Sequence, residues 1–427
     1  MTSPLPKTIT AYRACATIAS PLAPAFLRWR AGRGKEDPER LPERFGHPGR
    51  ERPRGEIVWV HGASVGETQA LLPLVEALVR REVSVLVTSG TRTSARLLET
   101  RLPPGALHQY VPLDVPHFLR RFLAHWRPIL AIFAESEIWP GILTELERHA
   151  IPLALVNGRL SPRSFAGWQR APQTARALFS RFALCLAQTE GDASRLHALG
   201  APVAGVAGNL KFDVPPLPAD PGAVEALSSR LAARPIWMAA STHPGEEETI
   251  IAAHLALRAQ RPGLLTLLAP RHPERGEEIA SYAFSAGLGV TRRSRGEAAE
   301  AAADIHLVDT IGDLGLFYRV APLVLMGGSL VPHGGQNPIE PARLGAAVLH
   351  GPEVTNFADI YAALDRAGGA LEVTPAGLVE AVSELLRQPG RMREMAKAGA
   401  ATIAGLGGAL AATLEALAPY LPERDAA

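Results

Sequence analysis

Short apolar runs alternate with helical segments along most of the chain. From residue 57 the runs are EIVWV, VSVLVTS, HQYVPLD, ILAIFAES, PLALVN, ALCLAQT and PVAGVAG. Helical patterning lies between them, near 67–81, 92–100, 116–126 and 138–149. Strands that are covered by helices on both faces read as continuous apolar runs, so the alternation predicts βαβ units and a parallel sheet.

The alternation stops in a proline-rich segment, KFDVPPLPADPG (211–222), and then begins again. Prolines at this density cannot continue a helix or a central strand, so the segment is predicted to contain an interdomain linker. The second series of runs is PIWMAAST, LLTLLAP, GVTRR, DIHLVD, PLVLMGGS, AAVLHG and ALEVT. The chain is therefore predicted to form two Rossmann-like, doubly wound α/β domains that face each other across a cleft, with ligands at the strand ends.

The two ends of the chain complete the predicted domain organisation. A final Ala/Leu-rich stretch, about 376–420, has helical character. The predicted divisions are a membrane-associating segment 1–35, a first Rossmann-like domain 36–212, a linker 213–230, a second Rossmann-like domain 231–403, and a C-terminal helix 404–427 that can pack back on the first domain.

The N-terminal segment 8–30 is mostly apolar but is interrupted by Arg13, Pro21 and Pro24. A spanning helix needs about 20 consecutive apolar residues, which this segment lacks. Its end, FLRWRAGRGK, combines aromatic and basic side chains, a composition that suits a membrane interface. The alternative is an amphipathic helix that packs on its own protein.

Composition and charge exclude several classes of protein. The chain has 427 residues, 47% of them hydrophobic, with 44 basic against 42 acidic residues, so nucleic acid is not expected as a partner. The two cysteines, Cys15 and Cys185, form neither a zinc motif nor a disulfide framework and fit a reducing, cytoplasmic compartment. The sequence contains no Walker A motif, no G-x-G-x-x-G after the first strand and no HExxH. No cofactor or metal is expected, although Asp309 and Asp313 stay open as ligands.

A lone acid follows the first apolar run, in WVHGASVGETQALL. Glu67 is placed where a small-residue turn becomes a helix, just after Ser64. At the carboxyl end of a strand it can face the cleft as a general base, which must lie within about 3 Å of the proton that it removes. The alternative is a helix-start glutamate that is favoured only by the helix dipole.

The second domain carries a glycine-rich turn, GGSLVPHGGQNPIEPARLG. A helix is predicted to begin at about Asn337, and Gly334 and Gly335 let backbone amides approach an anion. Glu340, one turn into this helix, can accept hydrogen bonds from adjacent hydroxyls.

Two other strand ends of the second domain carry polar groups. In STHPGEEE, Ser241 or Thr242 can simply cap a helix. After another run, Arg271 and His272 can grip a phosphate or a carboxylate, or can be ordinary surface residues.

These motifs together resemble the 3-deoxy-D-manno-octulosonic acid (Kdo) transferases of lipid A biosynthesis. The motifs HGASVGE, ESEIWP, NGRLSPRSF, GNLKFD, STHPGEEE, PRHPER and GGSLVPHGGQNPIEPA occur in that family's order. The resemblance extends from about residue 26 to the C-terminus. It implies a GT-B fold and an inverting transfer of Kdo from CMP-Kdo to a lipid IVA-type glycolipid at the cytoplasmic face of the inner membrane.

The resemblance also implies roles for individual residues. Glu67 matches the catalytic base and Glu137 a second acidic position. The first domain is expected to bind the acceptor through Ser64, Gly66, Arg92, Arg159 and Arg163. The second domain is expected to bind the donor, together with Lys211 at the end of the first domain. The donor-binding positions of the second domain are Ser241, Thr242, His243, Arg271, His272, Gly328, Ser329, Gly334, Gly335, Asn337 and Glu340.

Two other functions stay open at this point. One is a GT-B glycosyltransferase or epimerase that uses a UDP-sugar, because a glycine loop and Glu340 do not distinguish nucleotides. The other is a membrane-associated nucleotide-binding module without activity, against which the presence of Glu67, Arg271 and Glu340 speaks.

Overall fold

A computed structural model describes residues 5–232, 234–299 and 303–422 and divides the chain into two compact units. The first unit contains the residues up to Val214 together with the chain from Gly407 onward, and the second contains Pro215–Leu406. The outer ends of the predicted segments 1–35 and 404–427, at 1–4 and 423–427, lie outside the described residues.

The first unit is built on a seven-stranded parallel sheet in the order β3-β2-β1-β4-β5-β6-β7. Every residue of the first strand is buried, because helices cover both faces of the sheet. The apolar runs of the first series all form strands, as predicted. The strands are β1 (Ile57–His61), β2 (Ser84–Ser89), β3 (Ala106–Tyr110), β4 (Leu130–Ala134), β5 (Leu153–Gly158), β6 (Leu184–Ala187) and β7 (Val203–Val206).

Helices precede and connect these strands. They are α1 (Lys7–Ala19), α2 (Ala23–Gly32), α3 (Leu41–Arg44), α4 (Val65–Val79), α5 (Arg92–Arg101), α6 (Pro116–Trp126), α7 (Pro140–Arg148), α8 (Pro162–Gln169), α9 (Pro172–Phe179) and α10 (Glu190–Ala198), with 3-10 helices at Ser20–Leu22 and Leu210–Phe212. The four helices predicted between 67 and 149 are present, with ends that differ by no more than two residues.

The second unit repeats this architecture, with a seven-stranded parallel sheet in the order β10-β11-β9-β8-β12-β13-β14. Its strands are β8 (Ile236–Thr242), β9 (Leu265–Pro270), β10 (Val290–Arg292), β11 (Ile305–Leu307), β12 (Leu323–Met326), β13 (Ala347–His350) and β14 (Ala370–Glu372). Its helices are α11 (Pro221–Leu231), α12 (Glu246–Gln260), α13 (Gly276–Ser285), α14 (Leu314–Val320), α15 (Ile339–Arg343), α16 (Ala358–Arg366), α17 (Leu378–Arg387) and α18 (Pro389–Gly405), with 3-10 helices at Pro273–Arg275 and Arg293–Arg295.

The last helix, α19 (Ala409–Leu417), belongs to the first unit and is followed by a 3-10 helix at Ala418–Tyr420. Ala409 and Leu417 are buried in the core on one face of the first sheet. The Asp213 carboxylate accepts the N–H groups of Gly408 and Leu410 at 2.7 and 2.8 Å, which holds the start of the helix against that unit.

The predicted linker, 213–230, is too long. The boundary between the units falls after Val214, and α11 occupies Pro221–Leu231. The proline-rich stretch packs on α14, since the Arg319 guanidinium donates to the Leu217 carbonyl at 2.8 Å. The error arises because proline is tolerated in the first turn of a helix, where the missing N–H would be unpaired anyway.

The N-terminal helices are anchored to the first unit. Tyr12 of α1 donates a 2.9 Å hydrogen bond to the Asp114 carboxylate, and Arg13 contacts Thr144 and Glu145 of α7. Of the part of the chain that the structure describes, one stretch, Pro389–Tyr420, is long and apolar enough to cross a membrane, and it does not lie at the N-terminus. That stretch contains α18 and α19.

Both sheets have a topological switch point, where the strand order reverses. It lies between β1 and β4 in the first sheet and between β8 and β12 in the second. In open parallel sheets ligands bind outside the carboxyl ends of the strands at this point, so the loops that follow these four strands define the candidate sites.

Candidate active site

The acid of the first switch point is Glu67, in the first turn of α4 directly after β1. Ser64, the N-cap residue, accepts the Glu67 N–H at 3.3 Å, and its hydroxyl donates to Glu67 Oε1 at 2.7 Å. Glu67 Oε2 accepts the Ala63 N–H at 2.8 Å. An ionised carboxylate has about four lone-pair positions, so two remain for a substrate hydroxyl.

The electrostatic environment makes Glu67 a stronger base. Burial raises the pKa of Glu67, the hydrogen bonds from Ser64 and Ala63 offset part of that rise, and the nearby carboxylates of Glu137 and Glu135 add to it. Both neighbours follow β4, so two adjacent strands bring these three acids together. A carboxylate with a raised pKa is suited to accept a proton near neutral pH.

Glu135 is a member of this acidic cluster that was not predicted. It follows β4 with a positive φ of 55°, a conformation that non-glycine residues adopt at a cost and that is concentrated at functional sites. The Lys211 ammonium donates to Glu135 Oε1 at 3.2 Å, so this predicted donor ligand lies in the first unit. The position of Glu135 directly after an apolar run could have indicated it, but the motif ESEIWP holds two acids, and only Glu137 was predicted.

Glu137, the second predicted catalytic residue, is held by two neighbours. The Trp139 indole N–H donates to Glu137 Oε2 at 2.5 Å, and His61 Nε2 lies 3.9 Å from the same oxygen. Burial acts to raise the pKa of Glu137, but the His61 imidazole and the Trp139 indole outweigh it, so the pKa lies below its ordinary value. Glu137 is therefore ionised at neutral pH.

Of the predicted acceptor-binding residues, Ser64, Gly66 and Arg159 lie next to this cluster. Ser64 is exposed, and Gly66 leaves open space beside the helix turn of Glu67. Arg159, which is exposed, follows β5 and donates its backbone N–H to the Glu135 carbonyl at 3.2 Å. Arg163 is exposed in α8, whereas Arg92, in α5, donates to the Gly34 carbonyl at 3.1 Å.

The second switch point begins at the end of β8. Ser241 has a positive φ of 59°, another unusual conformation at a strand end. Thr242 is buried, and its hydroxyl donates to Glu247 Oε1 at 2.9 Å, an oxygen that Arg275 also contacts at 2.7 Å. Neither Ser241 nor Thr242 caps α12, whose N-cap is Gly245, so the capping alternative is wrong. The Thr242 hydroxyl thus donates its proton within the protein, and Thr242 stays a predicted donor-binding residue.

Histidines and an arginine gather next to this strand end. The ring of His243 stacks on His333 at 3.7 Å between centroids and lies 6.2 Å from His272. Burial, followed by the positive charge of these rings and of Arg271, lowers the pKa of His243 to about 4. The Gln336 amide lies 3.0 Å from His243 Nε2, and because the amide nitrogen can only donate, Nε2 is the acceptor. His243 is therefore neutral at pH 7 beside the exposed guanidinium of Arg271.

Glu246, in the first turn of α12, holds the loop that follows β12. It is 1% exposed, and its two oxygens accept the N–H groups of His243, Gly328, Ser329 and Leu330 at 2.7 to 3.1 Å. All its lone-pair positions are thus used inside the protein. No role was predicted for Glu246, because its partners in the loop lie more than 80 residues away in the chain.

Two predicted donor ligands in that loop serve its structure. Ser329 is fully buried, and its hydroxyl donates to the Met326 carbonyl and accepts the Gly351 N–H at 2.7 Å. Its side chain is therefore unavailable to a ligand, contrary to the prediction. The Gly328 N–H donates to Glu246, so this amide is occupied as well.

The glycine turn is explained mainly by packing. Gly334 and Gly335 have φ values of 98° and 75°, and a Cβ on Gly334 would lie 2.7 Å from side-chain atoms of Thr355 and Asn356. The Gly335 N–H donates to the Gly328 carbonyl at 2.7 Å. The next amide is also bonded within the loop. The prediction that these amides cradle an anion is therefore wrong for the two that are occupied.

The helix after the turn is shorter than predicted. It begins at Ile339 rather than at Asn337 and has five residues, too few for a strong dipole. The Asn337 side chain accepts the Ile339 N–H at 3.1 Å. Glu340 is partly buried, and burial raises its pKa, while the Asn337 side chain and Arg343 lower it.

Arg271 and His272 are exposed at the end of β9. The Arg271 N–H donates to the Thr242 carbonyl at 3.0 Å, which places Arg271 next to the β8 strand end. Among the residues that the structure describes, its guanidinium makes no hydrogen bond or ion pair. His272 Nδ1 lies 3.6 Å from Glu274, and both side chains are largely exposed. Within 5–232, 234–299 and 303–422, no group of three or more His, Cys, Asp or Glu side chains is arranged so that it could hold a metal ion.

Two doubly wound units with polar groups at both switch points define a protein of the GT-B class. The fold is shared by the UDP-GlcNAc 2-epimerase from Neisseria meningitidis, with a TM-score of 0.56, 15% identity, and coverage of 86% of this chain and 100% of that one. A glycosyltransferase from Rickettsia africae also has a TM-score of 0.56, with 11% identity and 87% and 100% coverage. At these identities the likeness concerns the fold alone.

Sequence comparison defines the family. The model of the 3-deoxy-D-manno-octulosonic-acid transferase (kdotransferase) family matches residues 39–214. The 3-deoxy-D-manno-octulosonic acid transferase of Bordetella pertussis is 38% identical, over 89% of this chain and 91% of its own length. That of Haemophilus influenzae is 34% identical, over 96% and 98%. The chain belongs to the Kdo transferase family, which confirms the resemblance drawn from its motifs.

Proposed function

We propose that this chain is an inverting glycosyltransferase that moves Kdo from CMP-Kdo to the primary hydroxyl of a glucosamine in a lipid IVA-type glycolipid. The observation that supports it most is the state of Glu67, a half-buried carboxylate with free lone pairs and a raised pKa at a switch point. Membership of the Kdo transferase family supports the identity of the transferred sugar.

In the proposed reaction Glu67 takes the proton of the acceptor hydroxyl. The acceptor oxygen forms a bond to the anomeric carbon of Kdo while the bond from that carbon to the CMP phosphate oxygen breaks. CMP leaves with the electron pair, so the charge that develops on its phosphate must be stabilised. Groups that are already oriented do this without a reorganisation cost.

The second unit supplies candidates for this stabilisation. Arg271 is exposed and unpaired within the described residues, and it adjoins the cluster of His243, His272 and His333. A guanidinium can bind a phosphate or the Kdo carboxylate with two parallel hydrogen bonds. Lys211 stays a predicted donor ligand, because its pair with Glu135 uses one of the three N–H donors of the ammonium.

The acceptor is amphiphilic, so we also propose that the N-terminal helices bind the cytoplasmic face of the inner membrane. Ile18, Leu22, Phe26 and Trp29 repeat at helical spacing, and their side chains are 78%, 71%, 52% and 53% exposed. The Arg33 guanidinium lies 4.0 Å from the centroid of the Trp29 ring. Apolar side chains beside cations suit an anionic lipid surface.

Membrane binding is tested by sedimentation with vesicles of anionic and of zwitterionic lipid. The wild-type chain should sediment with the anionic vesicles, and a variant with Ile18→Ser and Leu22→Ser should stay in solution. Equal behaviour of the two proteins would contradict this assignment.

The transfer itself is tested by mass spectrometry of the product formed from CMP-Kdo and lipid IVA. We expect an increase of one or more Kdo masses, and we expect the same product in the presence of EDTA. Thermal-shift measurements with CMP, UDP and ADP check the nucleotide, and only CMP should stabilise the protein strongly. No transfer, together with stabilisation by UDP, would favour a UDP-sugar enzyme instead.

A further inference from the structure

His61 is a buried titratable group that the proposed reaction does not yet use. It is the last residue of β1, where its neighbours in the sheet are Thr88 of β2 and Phe133 of β4. Its side chain is fully buried, and one face of the imidazole packs against the Phe133 ring at 4.9 Å between centroids. A polar ring enclosed in this way needs hydrogen-bond partners for both nitrogens.

The Nδ1 side of His61 has a partner. His61 Nδ1 lies 2.8 Å from the Thr88 hydroxyl oxygen, and the same oxygen accepts the Trp59 indole N–H at 2.8 Å. Because Thr88 Oγ1 already accepts one proton from Trp59, its own O–H needs an acceptor. His61 Nδ1 also lies 3.1 Å from the Thr88 backbone carbonyl, which already accepts the Gly62 N–H at 3.2 Å. If Nδ1 donated to that carbonyl, it could not accept the Thr88 O–H, so we assign unprotonated Nδ1 as the acceptor of the hydroxyl proton.

The Nε2 side of His61 has no hydrogen-bond partner within the described residues and is fully enclosed. It points at Glu137, whose Oε2 lies 3.9 Å away. With Nδ1 unprotonated, the ring carries its proton on Nε2, opposite the carboxylate. Catalytic contacts are often long without substrate and shorten when it binds, so this separation is compatible with a hydrogen bond in the complex.

We infer that His61 is a positioning residue: it presents its Nε2–H to Glu137 and keeps that carboxylate ionised and oriented, and Thr88 sets the tautomer of its ring. The inference rests on the proposed function, in which Glu137 belongs to the acceptor side. The charged groups around Glu137 are Glu67 on α4, Glu135 on the same loop, and Lys211, which pairs with Glu135. An ionised Glu137 strengthens Glu67 as a base through like-charge repulsion, so His61 acts on catalysis through two carboxylates.

The tautomer can be measured without any activity. The full chain is labelled with nitrogen-15 at histidine, and the His61 signals are assigned by their loss in His61→Asn. We expect a proton on Nε2 at pH 7, and Thr88→Val should move it toward Nδ1. A neutral ring that is protonated on Nδ1 in the wild-type chain would overturn the inference, whether or not the protein transfers Kdo.

Kinetics separate positioning from folding. In His61→Gln the amide retains a donor near the Nε2 position, whereas in His61→Asn only the contact with Thr88 can be retained. We expect His61→Asn to lower kcat/KM about tenfold. Loss of the His61 donor should also raise the pKa of Glu137, which moves the acid limb of the kcat/KM profile upward by about one pH unit, and His61→Gln should change both much less. In a Glu137→Gln background, His61→Asn should have no further effect.

Two further variants protect this test. If the His61 variants do not fold, Thr88→Val keeps the histidine and should move the acid limb in the same direction. His125→Asn is the matched control, because His125 Nε2 is also buried and has no partner among the described residues, but lies on α6. Equal losses in His61→Asn and His61→Gln, without a shift of the acid limb and additive with Glu137→Gln, would overturn the inference.

Discussion

Two glutamates occupy similar topological positions in the two units and have different roles. Glu67 follows β1 in the first turn of α4, and Glu246 follows β8 in the first turn of α12. Glu67 accepts two hydrogen bonds and is half-buried beside two other acids. Glu246 accepts four backbone N–H groups and is fully enclosed.

The difference shows that the loop across the switch point decides what a carboxylate at this position can do. In the first unit the facing loop, after β4, contributes Glu135 and Glu137, and like charges raise the pKa of Glu67. In the second unit the loop after β12 contributes three backbone N–H groups, which donate hydrogen bonds to the carboxylate of Glu246. The same scaffold thus presents an acidic edge in one unit and, at the exposed guanidinium of Arg271, a cationic edge in the other.

The largest expected effect comes from removing the proposed base, Glu67. Glu67→Gln should lower kcat by about 10²- to 10⁴-fold, the usual contribution of a general base, while CMP binding stays unchanged. Steady-state kinetics and a CMP titration check this. Glu76→Gln in the same helix is the control and should have near-normal turnover. Near-normal turnover in Glu67→Gln would show that Glu67 is not the general base and would leave it only a role in capping α4.

Next in size is the change that should disturb structure rather than chemistry. Glu246→Gln replaces an acceptor oxygen by an NH₂ group that faces backbone N–H donors. We expect a loss of stability of about 2 to 4 kcal/mol, because buried donors lose their partner. The unfolding transition, followed by calorimetry, measures it against Glu248→Gln, an exposed glutamate of the same turn. Unchanged stability together with a loss of turnover in Glu246→Gln would indicate that Glu246, and not Glu67, is the catalytic acid.

A smaller effect is expected at the cationic edge. Arg271→Lys should weaken CMP-Kdo binding by about 10- to 100-fold, because the loss of a charged hydrogen bond is worth about 1.5 to 3 kcal/mol. Binding of the acceptor should change little. Calorimetric titration is the measurement, with Arg295→Lys in the same unit as control. Unchanged CMP-Kdo affinity would show that Arg271 does not contact the donor.

The smallest effect is a pH dependence of donor binding. In the free protein His243 has a pKa of about 4, and a bound phosphate would raise that pKa. Binding should therefore take up protons and tighten less than tenfold as the pH falls from 7 to 5. Calorimetric titrations in buffers of different ionisation enthalpy measure this proton uptake. The variant His243→Gln is the control, because its proton uptake comes from CMP and not from His243. Identical proton uptake in both proteins would exclude His243.

The same shift affects stability. The pKa of His243 in the folded protein is about 4, below the unfolded value of about 6.5. The folded state thus binds fewer protons than the unfolded state over this interval. The contribution of His243 to stability is complete above pH 6.5 and is lost as the pH falls toward 4.

Much of the site could be predicted because its position follows from strand ends. The apolar runs located β1, β4 and β9, and Glu67, Glu137 and Arg271 follow these three strands. Which of the other polar side chains at the strand ends are free to bind a ligand could not be predicted in this way. Thr242 and Ser329 are polar residues at the right level of the sheet, yet both hydroxyls are bonded inside the protein. Glu135 and Lys211 pair across 76 positions of the chain.

The sequence by itself determined the two parallel sheets and the residues at their carboxyl ends, because the alternation of strands and helices is a local property of hydrophobic spacing. Tertiary structure decided which polar groups at those ends remain free. Hydrogen-bond satisfaction in a buried site depends on groups that are distant in the chain, as the pairing of Glu246 with the loop after β12 shows. That pairing assigns Glu246 to the framework, whereas burial and the acids near Glu67 raise the pKa of that carboxylate.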